Sequence, residues 1–178
     1  KDTIKVMGGE DWELWIEELM KRDLLAQGFI TTNYTYIGSE VTWPIYNQGT
    51  IGRAKEDLER AARAISQKSS KKEGAAYLAV MKGLVTQAAS AIPGMSVYLS
   101  LLFKVMKDKN LHEGCIEQAY RLFSEELYSG AQINIDRSGR IRLDTYELLK
   151  EVQDYVSENW SKFNTDTMDQ VADFEGYR

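Results

Sequence analysis

The chain holds one cysteine, Cys115, one histidine, His112, and two prolines among its 178 residues. A lone cysteine excludes an internal disulfide and suits a reducing compartment. A lone histidine, with no cysteine pair and no H-E-x-x-H spacing, excludes a zinc ligand set, so no metal is expected and His112 reads as a helix-start or surface residue. Positive charge is also scarce: 22 lysines and arginines against 27 aspartates and glutamates leave a formal net charge of −5, which argues against a nucleic-acid partner. The only basic cluster, Lys68, Lys71 and Lys72, lies in SQKSSKKEG at residues 66–74 and reads as a solvated loop. No apolar run approaches the roughly 20 residues of a membrane span, and no signal-peptide pattern opens the chain, so a cytoplasmic protein is expected. There is no G-x-S-x-G nucleophile elbow and no P-loop. Above all, no G-x-G-x-x-G turn joins a strand to a helix.

What is present suggests one core, a single domain over residues 1–178, with 43% hydrophobic content. Trp12, Trp15, Ile16, Leu19 and Met20 recur at helical spacing over residues 11–22, with acidic residues near the positive end of the helix and the tryptophans expected in the core. Leu58, Ala61, Ala62 and Ile65 repeat the pattern over residues 53–65, leaving Glu56, Asp57 and Glu59 on the wet side. The apolar run AAYLAVMK, residues 75–82, suits either a buried parallel strand or a helix. Helices are expected over residues 95–106, with Val97, Tyr98, Leu101, Leu102, Val105 and Met106, and over residues 113–128, with Ile116, Ala119, Tyr120, Phe123 and Leu127. Ile133, Ile135, Ile141 and Leu143 alternate around Asp136-Arg137-Ser138-Gly139 and predict a small hairpin, since Arg137, Arg140 and Arg142 are the wrong chemistry for a calcium loop. Asp144-Thr145-Tyr146-Glu147 has the form of a capping box opening a helix with Leu148, Leu149, Val152, Tyr155 and Val156.

The most informative stretch is residues 34–58, YTYIGSEVTWPIYNQGTIGRAKEDL, which sets Tyr46 nine positions before Lys55. On a continuous helix, at about 100° per residue, the two would point apart, and on a strand an odd offset alternates faces. Only a break brings hydroxyl and ammonium together. Asn47-Gln48-Gly49-Thr50 supplies one, with Thr50 as a plausible cap for the helix that carries Lys55.

The wording around this pair resembles the FabV-type enoyl-acyl-carrier-protein reductases and the related trans-2-enoyl-CoA reductases, whose signature is a tyrosine, eight residues, then a lysine. KVMGGEDW at residues 5–12, KGLVTQAA at 82–89, IPGMSVYLSLLFKVMK at 92–107, HEGCIEQ at 112–118 and RIRLD at 140–144 extend the resemblance over nearly the whole chain, as far as Gly176-Tyr177-Arg178. The resemblance implies a helix-rich α/β fragment of a Rossmann-type reductase with few strands, and it favours the strand for residues 75–82. It implies NADH-dependent reduction of the 2,3 double bond of an enoyl-CoA or enoyl-acyl-carrier-protein thioester in fatty acid synthesis. Tyr46 would be the proton donor. Lys55 would support it and touch the cofactor, Tyr36 would bind substrate, and Leu84, Val85 and Thr86 would contact the nicotinamide end. The helix over residues 95–106 would line an acyl tunnel or simply fill the core, and Tyr34 is the alternative to Tyr36. Members of the family are more than twice this length and carry the glycine-rich loop upstream of Lys1, so the chain is expected to lack the N-terminal half and to be inactive alone. Glu56 stands where many carrier-protein-type members have a second lysine. The rival reading is a non-catalytic helical binding module that keeps the family's shell.

Overall fold

The computed structural model describes residues 2–177. In chain order the elements are α1 (Asp2–Met7), α2 (Glu10–Lys21), β1 (Ile30–Thr35), α3 (Trp43–Tyr46), α4 (Thr50–Lys68), β2 (Ala75–Val80), α5 (Gln87–Ser90), α6 (Met95–Asp108), α7 (Cys115–Arg121), β3 (Arg140–Arg142), α8 (Lys150–Trp160), α9 (Met168–Val171) and α10 (Phe174–Tyr177). The three strands form one parallel sheet in the order β1-β2-β3. Ile30 pairs with Ala75 and Thr35 with Val80 on one side of β2, and Leu78 pairs with Arg140 on the other.

The run of residues 75–82 is a strand through Val80, and its burial explains its composition. As the central strand of a parallel sheet it is covered on both faces, so Ala76, Leu78, Ala79 and Val80 are all buried. Parallel neighbours need a long crossover, and α4 provides the one from β1 to β2. Its apolar stripe, Ala54, Leu58, Ala61, Ala62 and Ile65, packs on β2, and small residues there let helix and strand approach closely. The helix over residues 95–106 is plain core along nearly all its length: Tyr98, Leu99, Leu101, Leu102 and Met106 are fully buried and meet Val152 and Val156 of α8.

Five expectations give way. The hairpin is replaced by a parallel strand: the turn at Asp136 forms, with the Gly139 N–H donating to the Asp136 carbonyl at 2.9 Å, but Ile141 then pairs with Ala79. Alternation of apolar residues cannot tell an antiparallel partner from a parallel one, and β2 offered more burial. The capping box also fails. Asp144 is drawn to Arg142, at 2.7 and 2.6 Å, residues 145–148 form turns, and the helix starts only at Lys150. Trp12 packs toward Ile16 and Ile65, but Trp15, three positions on, is 69% exposed. The helix predicted over residues 113–128 opens at Cys115 and widens into a π-helical turn over Leu122–Leu127. Nor is the lysine cluster simply solvated: Lys68 reaches Glu13 and Glu17, and Lys72 pairs with Asp23 at 2.6 Å.

Candidate active site

The break predicted between Tyr46 and Lys55 is real and tightly built. Tyr46 ends the short helix α3, Asn47 to Gly49 turn the chain, and α4 begins at Thr50 with Gly49 in the cap position. The turn depends on Gly52: a Cβ there would overlap the Asn47 carbonyl oxygen. The Lys55 ammonium consequently lies over the Tyr46 ring, 5.2 Å from its centre. It donates to the Thr35 hydroxyl at 3.2 Å and to the Tyr36 carbonyl, so α4 is moored to the carboxyl end of β1. Tyr36 follows β1 directly and meets Tyr46 edge to face, with ring centres 4.9 Å apart. Gly38, with φ of +74°, turns the chain beneath it, and a side chain there would strike the Tyr36 ring and the Thr42 hydroxyl.

These groups open onto one cavity of about 550 Å³ at the carboxyl ends of β1 and β2. Tyr34, Tyr36, Tyr46 and Lys55 line it together with Lys82, Gly83, Leu84 and Thr86 from the segment after β2, and Ile51, Ile92 and Met95 add apolar surface. Of the sequence-predicted residues, Tyr36, Tyr46, Lys55, Leu84 and Thr86 thus share the cavity. Val85 packs instead against the core around Tyr98 and Leu102. Tyr34 also reaches the cavity but is half exposed, whereas Tyr36 is anchored. Glu56 is exposed. Only Met95 of α6 lines the cavity.

Burial, and behind it the charge of Glu147, raises the Tyr46 hydroxyl above the ordinary phenol value, so at neutral pH it keeps a proton to give. Burial lowers Lys55 to about 8, and Lys82 to about 8 as well. Lys82 is 1% exposed, donates to the Gly83 carbonyl at 3.0 Å and lies over the Phe103 ring at 4.7 Å. Three residues of this neighbourhood carried no role in the sequence reading. Lys82 follows an apolar strand and looks like its polar end. Tyr98 sits among core residues. Glu147, fully buried, accepts hydrogen bonds from the Tyr36 hydroxyl at 2.8 Å and the Tyr98 hydroxyl at 2.6 Å. His112 lies three residues before Cys115, where α7 opens, and is partly exposed, with its ring packed edge-on against Phe103 at 4.6 Å between ring centres.

Residues 1–128 match the family model described as the trans-2-enoyl-CoA reductase catalytic region. The chain belongs to this reductase family. An enoyl-[acyl-carrier-protein] reductase [NADH] of Serratia proteamaculans is 51% identical over 177 residues, covering 99% of this chain and 44% of the relative. A trans-2-enoyl-CoA reductase [NADH] of Ruminiclostridium cellulolyticum is 49% identical over 178 residues, covering 100% of this chain and 45% of its own. The crystal structure of the Treponema denticola trans-2-enoyl-CoA reductase in complex with NAD superposes with a TM-score of 0.93 at 47% identity, covering 98% of this chain and 44% of that one. The chain therefore spans less than half the length of the reductases it matches.

A second family model, described as the enoyl reductase FAD binding domain, matches residues 135–178. The arginines of strand β3 are not free to hold a flavin dinucleotide. Neither lines the cavity, Arg140 is held by Asp136 and Glu59, and Arg142 by Asp144 and Asp136, so these guanidiniums are already engaged by carboxylates. The segment instead contributes β3, α8 and the carboxylate behind Tyr36.

Proposed function

We propose that this chain is the catalytic, substrate-side region of a cytoplasmic, Rossmann-type reductase that saturates the 2,3 double bond of enoyl thioesters with NADH. The observation that carries the reading is the meeting of Tyr46, Lys55 and Tyr36 at one cavity on the carboxyl ends of parallel strands, the usual place for ligands in open α/β sheets. The names of the relatives support the reaction, and the NAD bound in the Treponema reductase supports the cofactor.

The residues present fit a nicotinamide end. Lys55 offers an ammonium, Thr86 a hydroxyl, and Gly83 and Leu84 a close main-chain approach after β2. Lys55, Leu84 and Thr86 would hold the cofactor there, with Val85 packed behind them against the core, and bound NADH supplies the hydride. Tyr46 then delivers a proton as negative charge develops on the thioester oxygen, and its raised affinity for that proton retains it until that moment. Lys55, over the Tyr46 ring, stabilises the phenolate that forms and fixes the end of β1 through Thr35 and Tyr36. Tyr36 and the apolar wall from Ile92 to Met95 receive the thioester and the start of its acyl chain. The pyrophosphate would be held by the upstream part that the relatives possess, and both coenzyme A and carrier-protein thioesters fit the reading.

The test is Tyr46→Phe in a protein that carries this region with the upstream part of its relatives. NADH oxidation with crotonyl-CoA should fall at least about a hundredfold in kcat, the scale of losing one donor to a developing oxyanion, with little change in the KM for NADH. An unchanged rate would remove Tyr46 from the chemistry. The 178 residues alone should show no NADH-dependent reduction, and measurable turnover by them would place the cofactor's phosphates within this chain.

A further inference from the structure

Glu147 stands behind the cavity and lines none of it. It is fully buried, and donors from three separate elements converge on its carboxylate. The Tyr36 hydroxyl, just past β1, donates to Oε1 at 2.8 Å, and the Tyr98 hydroxyl on α6 donates to the same oxygen at 2.6 Å. The Gly83 N–H, in the loop after β2, donates to Oε2 at 2.5 Å. The main-chain carbonyl of Glu147 takes the Gln153 side-chain amide at 2.6 Å, which ties its turn to α8. Buried carboxylates are costly without such partners, so part of this arrangement is simple compensation. Its direction is more specific.

A phenol has one proton to give. The Tyr36 proton goes to Glu147, so any contact the Tyr36 oxygen makes with a bound molecule uses its lone pairs. Tyr46 differs: its ring meets the Tyr36 edge and the Lys55 ammonium, and its hydroxyl is engaged by no other described residue. Two touching tyrosines therefore present opposite hydrogen-bond polarity to the same space. The buried carboxylate sets the difference.

We propose that Glu147 is a positioning residue for enoyl-thioester reduction: by accepting the Tyr36 proton it makes Tyr36 an acceptor toward the substrate and leaves Tyr46 as the one proton donor of the pair. This rests on the reading of Tyr46 given under Proposed function. The residue belongs to the segment matched by the second family model, so that segment enters the reaction through a carboxylate acting on Tyr36.

Glu147→Gln keeps the shape and removes the charge. In a protein carrying this region with the upstream part, it should lower kcat about tenfold or more, hold the KM for crotonyl-CoA within about twofold, and leave thermal unfolding cooperative. Tyr36→Phe combined with Glu147→Gln should be no slower than the more damaged single variant, because the second change removes an interaction already lost. Where Glu147→Gln does not unfold cooperatively, Glu147→Asp is read in its place. It retains the charge but withdraws it by one methylene, and the same fall in kcat is expected. An unchanged kcat, a loss that multiplies with that of Tyr36→Phe, or a loss carried by KM would overturn the proposal while the reductase reading stands. A parent protein that oxidises no NADH with any enoyl thioester would overturn both.

Discussion

Lys55 sits at the edge of its useful range. Burial holds its ammonium at about 8 against an ordinary value of 10.5, so the charged form dominates below that pH and is lost above it. The support of Tyr46 proposed for it requires the charged form, and on that proposal kcat should fall as pH rises through about 8. Lys55→Arg keeps a positive charge throughout this range, so the descending limb should vanish even if the overall rate drops. A limb that persists in that variant would assign it to Lys82, which burial also lowers to about 8. The Tyr46–Lys55 pair was legible in the sequence because its geometry is local: a turn between two short helices decides it. Glu147 was not. Its partners lie 111, 49 and 64 positions away, and its immediate neighbours imitate a capping box so closely that the local signal pointed elsewhere.

At the scale of elements, the junction between α3 and α4 carries the site. Gly52 lies in the first turn of α4 and touches the Asn47 carbonyl so closely that no side chain fits. Gly52→Ala must open the junction, because the obstructing atom is backbone and cannot rotate away. Overpacking of this kind costs about 1–3 kcal/mol, which should appear as a lower midpoint in a urea unfolding curve with the slope unchanged. Activity should fall further than stability, since the same opening moves the Lys55 ammonium off the Tyr46 ring. The apolar run of strand β2 suited a helix as well, and the family resemblance chose the strand. The direction of β3 was not readable, because Ile141 and Leu143 alternate in the same way whichever partner they pair with, and the choice was made by burial against Leu122 and Leu127.

Across the whole molecule, the two segments matched by separate family models share one interior. Val152 and Val156 from the second pack with Met95, Tyr98 and Leu102 from the first, and Tyr46 belongs to the same cluster. We expect residues 1–128 to behave as an incomplete fold. Without β3 and α8, the buried faces of β2 and α6 would meet water, and calorimetry should show no cooperative transition, whereas the 178-residue chain should show one. Two separate transitions in the longer chain would contradict a common core.

The three-stranded sheet has a practical consequence for anyone handling the chain in solution. Among the described residues β2 is paired on both sides, while β1 and β3 are each paired with a strand on one side only. The β1 sequence, ITTNYT, carries no charge and no proline, the composition that lets one strand template another between molecules. Light scattering should therefore rise with protein concentration, and Thr32→Lys, which puts a charge into that strand, should delay the rise.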